Sequence, residues 1–137
     1  MATYESILKF NGYIIDEISF KRNELFNPSE NNDKRTKFKI KETKDIENNI
    51  MRITLYVSIF EDAKENNYPY EMNVVVTGIF DISNAGNIDF EPNAIAILYP
   101  YVRSLVATYT INANLGATLL PTINVNEMLK QQKEDNI

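Results

Sequence analysis

The chain has 137 residues, of which 44% are hydrophobic and 24% charged, with a formal net charge of −5. Such a length and composition support one folding unit, so residues 1–137 are expected to form a single domain around one core. Cysteine and histidine are both absent, which removes disulfides, thiol nucleophiles, imidazole bases and the commonest metal ligands together. The negative balance also works against nucleic acid, because each phosphate contact needs a cation to displace counterions.

Residues 1–10 carry neither a basic cluster ahead of a long apolar run nor a small-residue cleavage site, so no export signal is read and a cytoplasmic location is expected. Residues 13–26 have β-rich composition with weak alternation and form the first predicted strand. The second is short: Phe38 and Ile40 alternate strictly with Lys37, Lys39 and Lys41. A lysine row of this kind could bind anions, but in an acidic chain it reads as an edge strand protected from self-pairing.

Residues 51–61 and 70–82 alternate over longer stretches and predict the third and fourth strands. Met51, Ile53, Leu55, Val57 and Ile59 share one face of the third, and Tyr70, Met72, Val74, Val76, Gly78, Phe80 and Ile82 one face of the fourth. Both read as half-buried antiparallel strands. The intervening stretches 27–35, 43–49, 62–69 and 83–92 are rich in Asn, Asp, Glu and Pro, as connectors should be.

Between residues 93 and 126 the only charge is Arg103. Ile95, Leu98, Val102, Leu105 and Tyr109 recur at helical spacing, and Gly116 is placed to end that helix in a left-handed conformation. Its opposite face carries Ile97, Tyr101, Ser104, Thr108 and Ile111, so the helix has no charged side for water. A membrane span is not expected, because Pro100, Arg103, Asn112, Asn114, Gly116 and Pro121 interrupt the apolar run. The simplest cover for the second face is the same helix of another subunit, which predicts an oligomer. Residues 117–125 read as extended. Asn124 or Asn126 can cap a last helix over 125–133, with Met128 and Leu129 on its apolar side, and residues 134–137 are expected to fray.

Catalytic chemistry is hard to place on this chain. The adjacent acids Asp16 and Glu17, Glu61 and Asp62, and Glu134 and Asp135 do not converge on one atom where neighbours point to opposite faces of a strand. No phosphate-binding loop occurs, and the glycines are too dispersed for a dinucleotide turn. The feature left over is the uncharged stretch 115–125 with Leu115, Leu119, Leu120, Ile123 and Val125. Two readings fit it: a connector folded back as core, or an exposed apolar patch for a partner.

Four short motifs, in order, resemble the SecB family of protein-export chaperones. They are Asp16-Glu17-Ile18-Ser19-Phe20, Gly78-Ile79-Phe80, the helix lead-in Leu98-Tyr99-Pro100-Tyr101-Val102-Arg103, and the connector Leu119-Leu120-Pro121-Thr122-Ile123-Asn124-Val125. The resemblance implies an α+β fold, a four-stranded antiparallel sheet with two C-terminal helices on one face, assembled as a dimer of dimers through the long helix. It implies a passive, ATP-independent holdase that keeps unfolded polypeptides or preproteins competent for export, with no catalytic residue, metal or cofactor and no direct membrane insertion. The implied client groove takes Phe38, Ile40, Leu115, Leu119, Leu120, Met128 and Leu129, which tilts the connector toward exposure.

Export members dock the motor SecA through acidic residues on the outer sheet face. Here Glu17 is kept, while Lys21, Lys41 and Asn73 depart from that pattern and the acidic tail is short. Some relatives instead guard an antitoxin. A small-hydrophobic-ligand module and a purely structural oligomer are the rival readings of the same apolar residues.

Overall fold

The two strongest alternations in the sequence become the middle of a sheet. The computed structural model describes residues 6–30 and 35–135, so part of each of the stretches 1–10, 27–35 and 134–137 lies outside the described residues. Strands β1 (Lys9–Arg22), β2 (Phe38–Glu47), β3 (Ile50–Ile59) and β4 (Tyr70–Asp81) pair antiparallel in the order β1-β4-β3-β2. Across the centre, Ile53 faces Gly78, Leu55 faces Val76 and Val57 faces Val74, all buried on one side. Alternation thus survives where a strand has two neighbours and one covered face.

The outer strands depart from expectation for a local reason in each case. β1 begins at Lys9 and ends at Arg22 instead of running over 13–26, and it carries two register shifts, between Phe10 and Tyr13 and between Ile15 and Glu17. Gly12 sits in the first at φ 109°, a conformation natural to glycine. Each bulge switches the side-chain face, which is why the first strand alternates weakly. β2 runs straight through the expected connector 43–49 and turns only at Asn48 and Asn49, with φ of 52° and 64°. A two-residue hairpin loop needs this left-handed pair, and asparagine tolerates it. The second half of β2 is exposed on both faces, so it has no apolar period to read.

A single helical turn, α1 (Ala63–Asn66), bridges β3 to β4. Then α2 (Glu91–Asn112) crosses the covered face and buries Ala94, Ile95, Leu98, Tyr99, Val102, Val106 and Thr110. Val106 and Thr110 take the inner positions expected of Leu105 and Tyr109, which turn toward the flank over β1, where the Tyr109 ring lies 5.7 Å from that of Phe20. Gly78 lets the helix come close: a Cβ there would stand 3.1 Å from a Leu98 methyl and 2.9 Å from the Phe80 ring. By length and composition alone α2 could cross a bilayer, but here one side of it forms the core against β3 and β4.

The helix ends earlier than expected. Asn114, at φ 64°, supplies the left-handed residue, with Leu115 N–H bonded to Thr110 C=O at 3.1 Å and Asn114 N–H to Ile111 C=O at 3.0 Å. That is the double bond pattern of a Schellman ending, so Gly116 lies beyond the cap. After the connector, α3 (Val125–Asp135) starts at Asn124, whose Oδ1 accepts from Glu127 N–H at 3.1 Å. Asn124, of the two candidates, is the cap, and Glu134 and Asp135 continue the helix.

Candidate functional site

Side chains of α2 pin the connector 113–124 in place. Thr110 Oγ1 accepts from Thr118 N–H at 2.8 Å while donating to Val106 C=O at 2.9 Å. Arg103 Nε donates to Leu120 C=O at 2.9 Å, and the Tyr99 hydroxyl donates to Pro121 C=O at 2.6 Å. From the sheet, the Tyr70 hydroxyl lies 2.6 Å from Thr118 Oγ1. Burial pushes both phenols above their ordinary pKa, with Arg103 opposing the shift at Tyr99, so both keep their hydroxyl protons. The motif containing Tyr99 and Arg103 sits inside α2, not at its start, and is hydrogen-bonded to the motif containing Leu120 and Pro121.

This pinning gives two consecutive leucines opposite fates. Leu120 is 1% exposed and belongs to the core, so its expected place in a client groove is corrected: its side chain fills the space between α2 and the sheet. Leu119 is 72% exposed. The stretch 115–125 is therefore neither all core nor all patch.

A groove of about 990 Å³ runs along the free edge of β2, between that strand and α3. Phe38, Ile40, Tyr56, Ile123 and Met128 provide its apolar lining. Phe38, Ile40 and Met128 were expected together, and the fold brings them together. Leu129 packs half-buried against the core, while Leu115 and Leu119 are exposed outside this lining. Tyr56 and Ile123 escaped the sequence reading because one reads as an outer-face residue and the other as connector.

The polar part of the lining includes Glu42 and Gln132, which hold β2 and α3 together. The Gln132 carboxamide grips the backbone of β2, accepting from Glu42 N–H at 2.7 Å and donating to Glu42 C=O at 3.0 Å. The Glu42 side chain is 5% exposed, and its Oε2 has no partner among the described residues. Burial, reinforced by the neighbouring Glu91 carboxyl, pushes Glu42 up to about 8, against the pull of Lys44 and Gln132. At neutral pH Glu42 is therefore largely protonated, while the acidic residues Glu127 and Asp135 also line the groove. Lys44 Nζ lies 3.6 Å from Glu91 Oε1. Neither Gln132 nor Glu42 could be picked out beforehand, because both read as surface residues.

The other sheet face is of mixed charge. By register Glu17, Lys21, Lys41 and Asn73 all lie there, and Lys39 pairs with Glu61 at 3.1 Å. β2 is an edge strand, as its lysine row suggested. On α2, Tyr101, Ser104, Thr108 and Ile111 are exposed, while Ile97 packs half-buried against the core. Ile111 is 56% exposed, whereas Tyr101 rests on Phe10 and Tyr13 at 5.5 and 4.9 Å between rings.

A family model described as preprotein translocase subunit SecB matches residues 5–136. The chain belongs to the SecB family. This is a family of chaperones, not an enzyme class. An uncharacterized protein of Methanocaldococcus jannaschii is 32% identical over 142 residues, covering 94% of this chain and 88% of its own. The SecB-like fold recurs in a Mycobacterium tuberculosis SecB-like chaperone, solved in complex with a ChAD peptide from the HigA1 antitoxin. That structure has a TM-score of 0.60 at 13% identity and covers 85% of this chain and 88% of its own. A Streptococcus agalactiae protein of unknown function follows at TM-score 0.50 and 15% identity, over 84% of this chain and 97% of its own. The four-stranded antiparallel sheet with its helices is thus the α+β arrangement that the motifs implied.

Proposed function

We propose that this SecB-family chain is a passive holdase that keeps unfolded polypeptides from aggregating in the cytoplasm. The observation that carries the reading is the open groove beside β2, lined by Phe38, Ile40, Tyr56, Ile123 and Met128, along a strand with no strand neighbour on one side among the described residues. The Mycobacterium tuberculosis neighbour, solved with a peptide, supports a polypeptide as the guest.

Burying one leucine-sized client side chain contributes roughly 1.5 to 3 kcal/mol, while ordering each client residue costs about 1 to 2 kcal/mol. One groove therefore comes close to balance, and useful affinity arises when a long client engages several grooves together. A homotetramer, a dimer of dimers joined through Ile97, Tyr101, Ser104, Thr108 and Ile111, would present them. Folded proteins cannot reach several grooves, so the selection is for extended, apolar segments.

Handover of preproteins to SecA would rest on Glu17. The mixed charge of its sheet face, with Lys21 on the same strand and Lys39 and Lys41 on the opposite edge strand, favours a dedicated client such as an antitoxin as the second reading. One experiment addresses both: suppression of light scattering by a denatured client at stoichiometric chaperone, followed by a SecA pull-down with the wild type and Glu17→Lys. Unsuppressed aggregation would end the holdase reading. Equal SecA capture by both chains would remove Glu17 from any docking role.

A further inference from the structure

The covered face of β2 reads Phe38, Ile40, Glu42, so a carboxylic acid stands where the alternation calls for an apolar side chain. Three elements meet around it. Leu55 of β3 lies opposite in the ladder, Glu91 at the start of α2 is a neighbouring carboxyl, and Gln132 of α3 holds the Glu42 backbone at 2.7 and 3.0 Å. The side chain is 5% exposed, and its Oε2 has no hydrogen-bond partner among the described residues. The charges around it do not balance. Lys44 on β2 is already engaged with Glu91 at 3.6 Å, and Glu127 and Asp135 of α3 add two more acids to the groove, beside the Tyr56 phenol of β3. Lys39 and Lys41 also line the groove, but they stand on the opposite parity of β2, where Lys39 pairs with Glu61 at 3.1 Å.

We infer that Glu42 is a proton-dependent latch between β2 and α3: with the proton in place the Glu42 and Glu91 carboxyls lie together and Gln132 keeps its grip, and loss of the proton releases both. Two carboxyls in one site can share a single negative charge but resist carrying two. One ammonium, that of Lys44, cannot neutralise both. An ionised Glu42 regains water by turning out of the layer. Because Gln132 sits on the backbone of the same residue, that turn carries Glu42 N–H and C=O away from the carboxamide. The rest of α3 holds on weakly, since none of its residues is fully buried and Val125, Met128 and Leu129 are only partly so. Burial and Glu91 set the working range: they outweigh Lys44 and Gln132 and raise the Glu42 carboxyl to about 8, so the latch is closed at neutral pH and opens in mild alkali. It is a property of the fold and does not depend on what occupies the groove.

The test is a carbon-detected magnetic resonance titration of the full chain, following the Glu42 carboxyl together with the Gln132 side-chain amide and the Met128 methyl. The Glu42 signal should titrate at about 8, and the Gln132 and Met128 signals should move with the same midpoint. In Glu42→Gln, which has no proton to lose, both should stay flat through that range. Glu91→Gln removes the second carboxyl and should lower the Glu42 midpoint by about one pH unit or more while keeping the three signals coupled. A Glu42 midpoint near the ordinary 4.5 would overturn the latch. So would Gln132 and Met128 signals that ignore the Glu42 titration, that move equally in Glu42→Gln, or a midpoint indifferent to Glu91→Gln.

Trypsin supplies a second readout, because Lys130 and Lys133 lie within α3 and are cut when it lifts. The cleavage rate of the wild type, divided by that of Glu42→Gln to remove the pH dependence of the protease, should rise roughly tenfold from about pH 7 to about pH 9, as the ionised fraction of such a group does. Gln132→Ala should be cut faster than the wild type already at neutral pH. A ratio that stays constant across that range would show that α3 does not follow the Glu42 proton, and would overturn the proposal.

Discussion

Replacing Leu119 and Leu120 one at a time with alanine separates the two jobs of the connector. Leu120 is 1% exposed, and truncating a buried leucine removes about 2 to 5 kcal/mol of stability through lost transfer energy and the cavity left behind. With mid-range values of about 3.5 kcal/mol and a urea slope of about 2 kcal/mol per molar, that moves the unfolding midpoint down by roughly 2 M. Leu119 is 72% exposed, so Leu119→Ala should leave stability within about 0.5 kcal/mol of wild type. If a client covers the Leu119 side chain, the same change weakens client binding by about 1 to 2 kcal/mol per site, or roughly five- to thirtyfold. Urea titration followed by circular dichroism, beside an aggregation-suppression assay at low urea, reads both quantities. Equal destabilisation by the two substitutions would refute the argument that Arg103, Tyr99 and Thr110 hold the connector in one orientation.

Thr110→Val keeps the shape of a fully buried side chain but removes the acceptor of Thr118 N–H, which should cost about 1 to 3 kcal/mol by urea titration and speed amide exchange at Thr118. Thr110→Ser, which keeps the hydroxyl, should retain the slow exchange. The pH dependence of stability tests Glu42. Its carboxyl rises from 4.5 to about 8 on folding, so the folded state holds a proton that the unfolded state has released. The contribution of Glu42 is complete below about pH 4.5 and is lost as pH rises through about 8. Against Glu42→Gln, which is neutral throughout, the wild type should become progressively less stable across that window, and a difference that does not vary with pH would place the Glu42 proton elsewhere.

Much of the fold was legible because β3 and β4 each have a neighbour on both sides and a helix on one face, which writes a period of two into their side chains. The helical period of α2 and its lack of charge were equally plain, and four motifs pointed to the SecB family. β1 was blurred by its bulges and the far half of β2 by exposure on both faces, since neither condition leaves an alternating apolar signal. At the groove, Phe38, Ile40 and Met128 were readable as apolar residues on strand and helix.

Adjacent residues in an extended segment carry no rule for which one faces in. That Leu120 is core and Leu119 surface was decided by hydrogen bonds from Thr110, Arg103 and Tyr99, which precede the leucines by several turns of chain. Gln132 and Glu42 gained their roles in the same way, from being brought together across 90 residues of sequence. Composition and periodicity record how each segment meets water. Which polar groups must satisfy one another once water is excluded is settled only when the segments pack.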